Sequence, residues 1–410
     1  MNAVDSSMHA AAAGAAPANM PLAGVRIIAV EQYGAGPFGT QHLADLGAEV
    51  IKIENPHDGG DVGRAVGPHY FGPGDSHFYQ SFNRNKKSIT LDLKSEDGQK
   101  ILRELASSAD VVFNNLRGDL PAKLGLTYEK LKEVNPQLVC GHLSAYGRTG
   151  SRAAWPGYDY LMQAEAGYLS LTGEPDGPPA RMGLSIIDLM TGTTAAMGIL
   201  AGVLGARTSG VGRDIDVSLF DVALHNLAYV ATWYLNAGVA IGREPRSSHP
   251  SLTPSQLYKT KDGWIFLMCN KEKFFGVLAQ CIGKPEWADS AEYKTYKERL
   301  ANRDQLTRDL DAALQARTTE EWMGIFAGKV PAAPVYDVQQ ALDSDFVAEQ
   351  ERLLNFPHPS GNVRMVASPV RAGEHPVRPA PTMGADTDEV LGQVGYDANA
   401  IASLRERSVI

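Results

Sequence analysis

The sequence predicts an α/β fold: a Rossmann-like parallel sheet forming a large domain, with a smaller α+β domain beside it. Three observations carry that expectation. Apolar strand-like runs alternate with helical segments from residue 25 to residue 217, which implies a parallel sheet with helices on both faces. A glycine-rich turn, YGAGPFG at 33–39, follows the first apolar run, where a βαβ unit places its tight turn. Near residue 240 this rhythm stops in a polar, proline-rich segment, GREPRSSHPSLTPSQ. A length of 410 residues exceeds one ordinary core and agrees with two domains.

Val25 to Val30 is the first strand. Pro37 suits the first turn of the helix that follows, and Thr40 to Leu46 continues it. Ala48 to Ile53 is the second strand, and Glu54 closes it. The turn therefore reads G-x-G-x-x-G with an acid 20 residues after its first glycine, the pattern of a dinucleotide site. Residues 55–80, rich in Gly, Pro, Asp and His, read as an irregular loop. Arg84, Lys86 and Lys87 form a basic cluster, which is either solvated surface or a phosphate contact. Ser88 to Leu93 is a strand, Ser95 caps a helix reaching Ser107, and Asp110 to Phe113 is a strand running into NNLRGDLPAKLGL.

Tyr128 to Val134 is helical and Leu138 to His142 is a strand. Next comes a helix crowded with small residues, among them Gly192, Ala195, Ala196, Gly198 and Gly202, which let another backbone approach closely. The strand Asp214 to Val217 and a helix over Ser218 to Asn236 end the large domain. Past the linker, QLYKTKDGWIFLMC reads as a hairpin turning at Lys261-Asp262-Gly263. Residues 271–328 read as helices with charged faces, and 351–381 as a β-like, proline-rich return. The expected division is a disordered tail (1–20), a large domain (21–235), a small domain with linkers (236–330) and a C-terminal return to the large domain (331–410).

Hydrophobic residues make up 44% of the chain and charged residues 21%, as in ordinary globular proteins. The net charge of −9 argues against nucleic acid as the main partner, while leaving room for local basic pockets. Cys140, Cys269 and Cys281 are too few for a disulfide framework and lack metal spacing. Buried thiols in a reducing, cytoplasmic setting are expected, with no metal site. No apolar run is read as a membrane span, and residues 1–20, without Lys or Arg, do not resemble a targeting segment.

Asp188 ends a short apolar run in LSIIDLMTG, just ahead of the small-residue helix. It reads first as a helix N-cap. The helix dipole also favours an ionised acid there, the state a nucleophilic carboxylate requires. His142 and His225 read as satisfied core histidines. His249, Arg243 and Arg246 in the linker either face solvent or bind a carboxylate.

Several blocks together resemble the type III CoA-transferase family, which includes formyl-CoA transferase, carnitine CoA-transferase and α-methylacyl-CoA racemase. They are LAGVRIIAVEQYGAGPFGTQHLADLGAEVIKIE, NRNKKSITLDLKSEDG, ADVVFNNLRGDLPAKLGL, NPQLVCGHLSAYGRTG, PGYDYLMQAEAGYLSLTG, LSIIDLMTG and TSGVGRDIDVSLFD. By position the resemblance makes Asp188 the catalytic aspartate. It puts CoA contacts on Gly34, Ala35, Leu91 to Lys94, Asn115 to Arg117, Lys123, and Pro156 to Asp159, including Tyr158. It also implies an interlocked homodimer. Coenzyme A enters as a substrate, exchanged between an acyl-CoA donor and a carboxylate acceptor, and no cofactor is needed.

Tyr158 replaces the catalytic histidine of the racemases, which favours transfer over racemisation. Gly34 and Asn55 stand where formyl-CoA transferase has a glutamine and an arginine, and its run of glycines is replaced by SSHPSLTPSQ; these departures point to a larger acyl group or acceptor such as a dicarboxylate. A racemase or isomerase of the same family, and a nicotinamide-dependent oxidoreductase, are the alternatives.

Overall fold

Six parallel strands form the centre of the larger of two units: β1 (Arg26–Val30), β2 (Glu49–Glu54), β3 (Lys87–Thr90), β4 (Val111–Asn114), β5 (Val139–Ser144) and β6 (Arg213–Ser218). The structure is a computed structural model that describes residues 19–373 and 377–410. Most of the expected tail (residues 1–18) lies outside the described residues. The strand order is β3-β2-β1-β4-β5-β6, so the α/β expectation with a Rossmann-like sheet holds. The chain winds outward from β1 in both directions, which puts a topological switch point between β1 and β4. Ile27, Ile28, Ile51, Val112 and Val139 are all buried, as both faces of a parallel sheet require.

Five helices of this unit bear on the site: α1 (Ala35–Asp45), α2 (Glu96–Ser107), α3 (Asp159–Glu165), α4 (Ile186–Ser209) and α5 (Leu219–Asn226). Ser95 caps α2 as expected, accepting the Gly98 N–H at 3.0 Å. Helix α4 is 24 residues long with a mean hydropathy of 1.5, enough in length and composition to cross a membrane, a property the sequence reading missed. Its small residues pack it into the unit. Gly192 lies so close to α1 that a Cβ there would stand 2.4 Å from the Ala35 carbonyl oxygen, and one at Gly39 would stand 2.5 Å from the Gly192 carbonyl oxygen.

The expected helix over 218–236 is broken. It splits into α5 and a second helix, Ala228–Ala237, at Ala228, whose φ of 47° is left-handed. The basic cluster is neither surface nor phosphate site. Arg84 and Lys86 are buried, with Arg84 paired to Asp45 and Lys86 to Glu31. Lys87 is shared by Glu49 and Glu389. Acids on neighbouring elements thus neutralise all three.

Arg352–Ile410 returns to the larger unit. Its two final helices, Thr387–Gln393 and Ala398–Glu406, put Val390, Leu391, Ile401 and Leu404 into the core that α2 covers. The segment just before them closes the free edge of β3. The Ser88 N–H donates to Asp386 at 2.8 Å, the Asp386 N–H to the Ser88 carbonyl at 2.9 Å, and the Thr90 N–H to Thr387 Oγ1 at 3.1 Å.

The smaller unit comprises Gln163–Gly183 and Leu227–Glu351, wider than the 236–330 read from sequence. Its antiparallel sheet explains the C-terminal difference. β7 (Ser255–Lys259) and β8 (Trp264–Met268) form the expected hairpin, and β9 (Ala332–Pro334) completes it on the other edge of β8. Residues beyond 330 are therefore part of this sheet. Segment 163–183 is tied in by Arg243, which donates to the carbonyls of Gly177 and Pro175 at 2.6 and 3.1 Å.

Candidate active site

The glycine crossing of α1 on α4 brings the N-terminal ends of both helices together, one turn before Gly39 and Gly192 respectively. Gly34 is the N-cap of α1 and supplies no side-chain cap. Within the described residues, the N–H groups of Gly34, Ala35 and Gly36 meet no acceptor, as expected at a helix start whose cap has no side chain. Asp188 lies against this end. A Cβ on Gly34 would stand 2.9 Å from Asp188 Oδ2, so the absence of a side chain at 34 makes room for the carboxylate.

Asp188 is not the N-cap of α4. Ser185 holds that position, and Asp188 lies within the first turn. The role of receiving a free N–H falls instead to Asp159, at the start of α3, whose Oδ2 accepts the Asp188 N–H at 2.9 Å. The electrostatic outcome also differs from the sequence reading. Burial first, and the neighbouring Asp159 carboxylate second, push the Asp188 carboxyl up from 3.8 to about 7. Both effects disfavour a second anion in a dry site, and together they outweigh the helix dipole, a contribution of about 0.3–1 kcal/mol. The Asp188 carboxylate accepts no hydrogen bond from the described residues. Stripped of donors and largely of water, such a group is more basic, and so a better nucleophile, once ionised.

A cavity of about 200 Å³ opens over Asp188 at the carboxyl ends of β1, β4 and β5; its lining includes Tyr33, Gly34, Ala35, Asn115, Arg117 and Tyr158. Nine expected site residues thus come together here: Asp188, Gly34, Ala35, Asn115 to Arg117 and Pro156 to Tyr158. Leu91 and Lys94 line a neighbouring cavity of about 260 Å³, which shares Gln32 and Leu116 with the first. Together the two hollows follow the strand ends from β5 to β3, across the switch point where ligands of such sheets bind. Lys123 lines neither.

The positive charge expected along this track is partly answered already. Asp119 pairs with Arg117 at 2.6 Å and with Lys123 at 2.7 Å. Those two hydrogen bonds hold the Asp119 carboxyl well below its ordinary range. Sequence reasoning passed over Asp119, although its i,i+4 spacing to Lys123 was legible. Asn115 is also engaged. Its Oδ1 accepts the Gln32 N–H at 2.9 Å and its Nδ2 donates to the Gln32 carbonyl at 2.7 Å.

Around the mouth stand Tyr33, Tyr158 and Trp155, all exposed; Tyr33 and Tyr158 meet edge to face at 6.4 Å between ring centres. Burial, and then Asp188, raise the Tyr33 hydroxyl above its ordinary range.

The remaining polar candidates resolve separately. His142 is buried between Asn114 at 2.8 Å and Asp214 at 3.0 Å, a satisfied core histidine as read. His225 is exposed instead. In the smaller unit Arg243 binds carbonyls and Arg246 pairs with Asp311 at 2.6 Å, so both are already occupied. The His249 ring stacks on Tyr229.

Four similarities to known proteins bear on this arrangement. The human succinyl-CoA:glutarate CoA-transferase is 35% identical over 397 residues, covering 95% of this chain and 90% of that protein. The acetyl-CoA:oxalate CoA-transferase of Acetobacter aceti is 36% identical over 355 residues, covering 86% and 89%. The crystal structure of a CaiB/BaiF family protein from Brucella suis superposes with a TM-score of 0.79 at 31% identity, over 92% of this chain and all of that one. The family model described as CoA-transferase family III matches residues 22–387. Taken with the site at the switch point, these matches show that the chain belongs to CoA-transferase family III and is a CoA-transferase.

Proposed function

We propose that this transferase works by covalent catalysis on Asp188. The observation that carries the proposal is a buried carboxylate that, among the described residues, accepts no hydrogen bond, beside the amides of Gly34–Gly36, which likewise find no acceptor there, in the lining of a cavity. Ionised Asp188 attacks the thioester carbonyl of the donor. The C–S bond breaks, CoA leaves as the thiolate, and a mixed anhydride remains on Asp188. The thiolate attacks the aspartyl carbonyl, the anhydride C–O bond breaks, and the donor acid departs as its carboxylate. The acceptor carboxylate then displaces thiolate from the aspartyl-CoA thioester, and thiolate attacks the acceptor carbonyl to release the new thioester and regenerate Asp188. No net proton is taken up or lost.

Each addition passes through a tetrahedral oxyanion. Amides fixed beforehand and facing it lower the barrier, by about 3–4 kcal/mol for a single donor in comparable sites. The amides of Gly34, Ala35 and Gly36 are the donors proposed here. The phosphates of CoA are proposed to lie along the strand-end track beside Lys94 and Arg117, with Lys123 outside its lining and reaching it only through Asp119, and with Leu91 and Tyr158 as apolar and aromatic walls; no other cofactor takes part.

The acceptor is proposed to be a short dicarboxylic acid and the donor a short acyl-CoA such as succinyl-CoA. The human relative is named for succinyl-CoA and glutarate, and the Acetobacter relative for acetyl-CoA and oxalate. The working form is proposed to be an interlocked homodimer in the cytoplasm. The helix Ala228–Ala237, AYVATWYLNA, supports the dimer, because none of its residues is buried within one chain.

Mixing the protein with a panel of acyl-CoAs, acceptor withheld, and quenching with hydroxylamine tests the route. A hydroxamate on the peptide carrying Asp188 is expected with succinyl-CoA. Turnover without any adduct, surviving in Asp188→Asn, would refute it.

A further inference from the structure

The loop that presents Gly34 to Asp188 is held at four of its backbone polar groups by side chains from elsewhere in the fold. Lys52 Nζ donates to the Glu31 carbonyl at 3.0 Å. Asn115 takes both the N–H and the carbonyl of Gln32. Asp61 Oδ1 accepts the Tyr33 N–H at 2.8 Å. Tyr33 itself has φ of 68°, a left-handed conformation that a bulky aromatic residue takes only when its surroundings impose it, at a cost of about 1–3 kcal/mol.

Asp61 is built to impose it. Its side chain is fully buried. Its Oδ2 meets Lys52 Nζ at 2.6 Å, and its Oδ1 also accepts the Gly63 N–H at 2.7 Å. Its own N–H is fixed by Glu54 Oε2 at 2.9 Å. Lys52 lines neither cavity, and Asp61, which borders the 260 Å³ one, has its carboxylate oxygens taken up by Lys52 and by the Tyr33 and Gly63 amides, so the pair acts on the loop.

We infer that Asp61, charged against Lys52, is a positioning residue of the transferase. It locks Tyr33 in the left-handed conformation and thereby aims the amides of Gly34–Gly36 at the oxyanion that forms beside Asp188. Without that lock Tyr33 relaxes to negative φ and the amides turn away from the reacting carbonyl. A misplacement near 1 Å at such a point costs on the order of a hundredfold in rate. This inference rests on Asp188 being the reacting carboxylate.

A double-mutant cycle tests it, with succinyl-CoA and glutarate as the probe pair. Asp61→Ala removes the acceptor and should lower kcat at least about tenfold, with KM for the CoA ester within about threefold of wild type. Asp61→Asn, which keeps an oxygen for the Tyr33 amide, should recover part of that loss. In chains that also carry Tyr33→Gly, removing Asp61 should lower kcat less than about threefold, because glycine takes positive φ unaided. Equal losses in both backgrounds overturn the inference, since they would mark Asp61 as a plain core ion pair.

If Asp61→Ala does not fold, Asp61→Glu replaces it; this variant keeps the charge facing Lys52 and displaces the acceptor by one methylene. No loss, or a loss that Tyr33→Gly does not suppress, overturns the inference in that form too. Hydroxylamine trapping on the wild type reports separately whether Asp188 reacts, so failure of the covalent route and failure of the lock are told apart.

Discussion

As the proposed nucleophile, Asp188 carries two opposed requirements. It must be ionised to attack, yet burial and Asp159 raise its carboxyl to about 7. Because the anion is the reactive form, kcat/KM should rise with pH through about 7 and level off above it. Asp159→Asn keeps an oxygen for the Asp188 N–H and removes the neighbouring charge. The acid limb should then move to lower pH without reaching the ordinary 3.8, since burial is the larger cause and remains. A pH–rate profile of the two proteins checks both statements; an unmoved limb would assign it to another group. Sequence located this residue only through the block LSIIDLMTG. Taken alone, an acid ahead of a helix reads as a cap, and its true neighbour is Asp159, 29 positions away. No spacing rule reaches that far.

At the scale of elements, the α1–α4 crossing aligns the site. Gly39→Ala or Gly192→Ala puts a methyl group into backbone at 2.5 and 2.4 Å, so the helices must separate. Overpacking of this kind costs about 1–3 kcal/mol. It should also slow turnover more than it weakens CoA binding, because it moves Asp188 away from Gly34 and leaves the strand-end track in place. Thermal unfolding and kinetics on each variant provide the check. The crowd of small residues in α4 was legible as a close approach, and the glycine turn as the start of α1. That these two glycines meet each other was not legible, since period and composition identify a face but not its partner.

For the molecule as a whole, the six parallel strands were readable because strands buried on both faces appear as apolar runs. Polar side chains acting across long separations were not readable. Asp61, Asn115 and Asp386 each secure the backbone of a segment at least 28 positions distant, and nothing local announces them. The proposed interlocked dimer yields a prediction at this scale. Threaded chains cannot part without unfolding, so isotopically light and heavy proteins mixed in buffer should form no hybrid dimers over days. They should form them after joint unfolding and refolding. Native mass spectrometry reads the outcome, and rapid hybrid formation in buffer would exclude threading.

The cover over β3 has a consequence for synthesis. The strand is in place by residue 90, but the groups that close its edge sit at 386 and 387, almost 300 residues later. At about 5–20 residues per second, a ribosome needs roughly 15 to 60 seconds to supply them. Through that interval the nascent sheet displays an open strand edge of the kind that recruits other strands. A chain stalled between 260 and 380 should therefore be a client for chaperones, and a few residues more should release it.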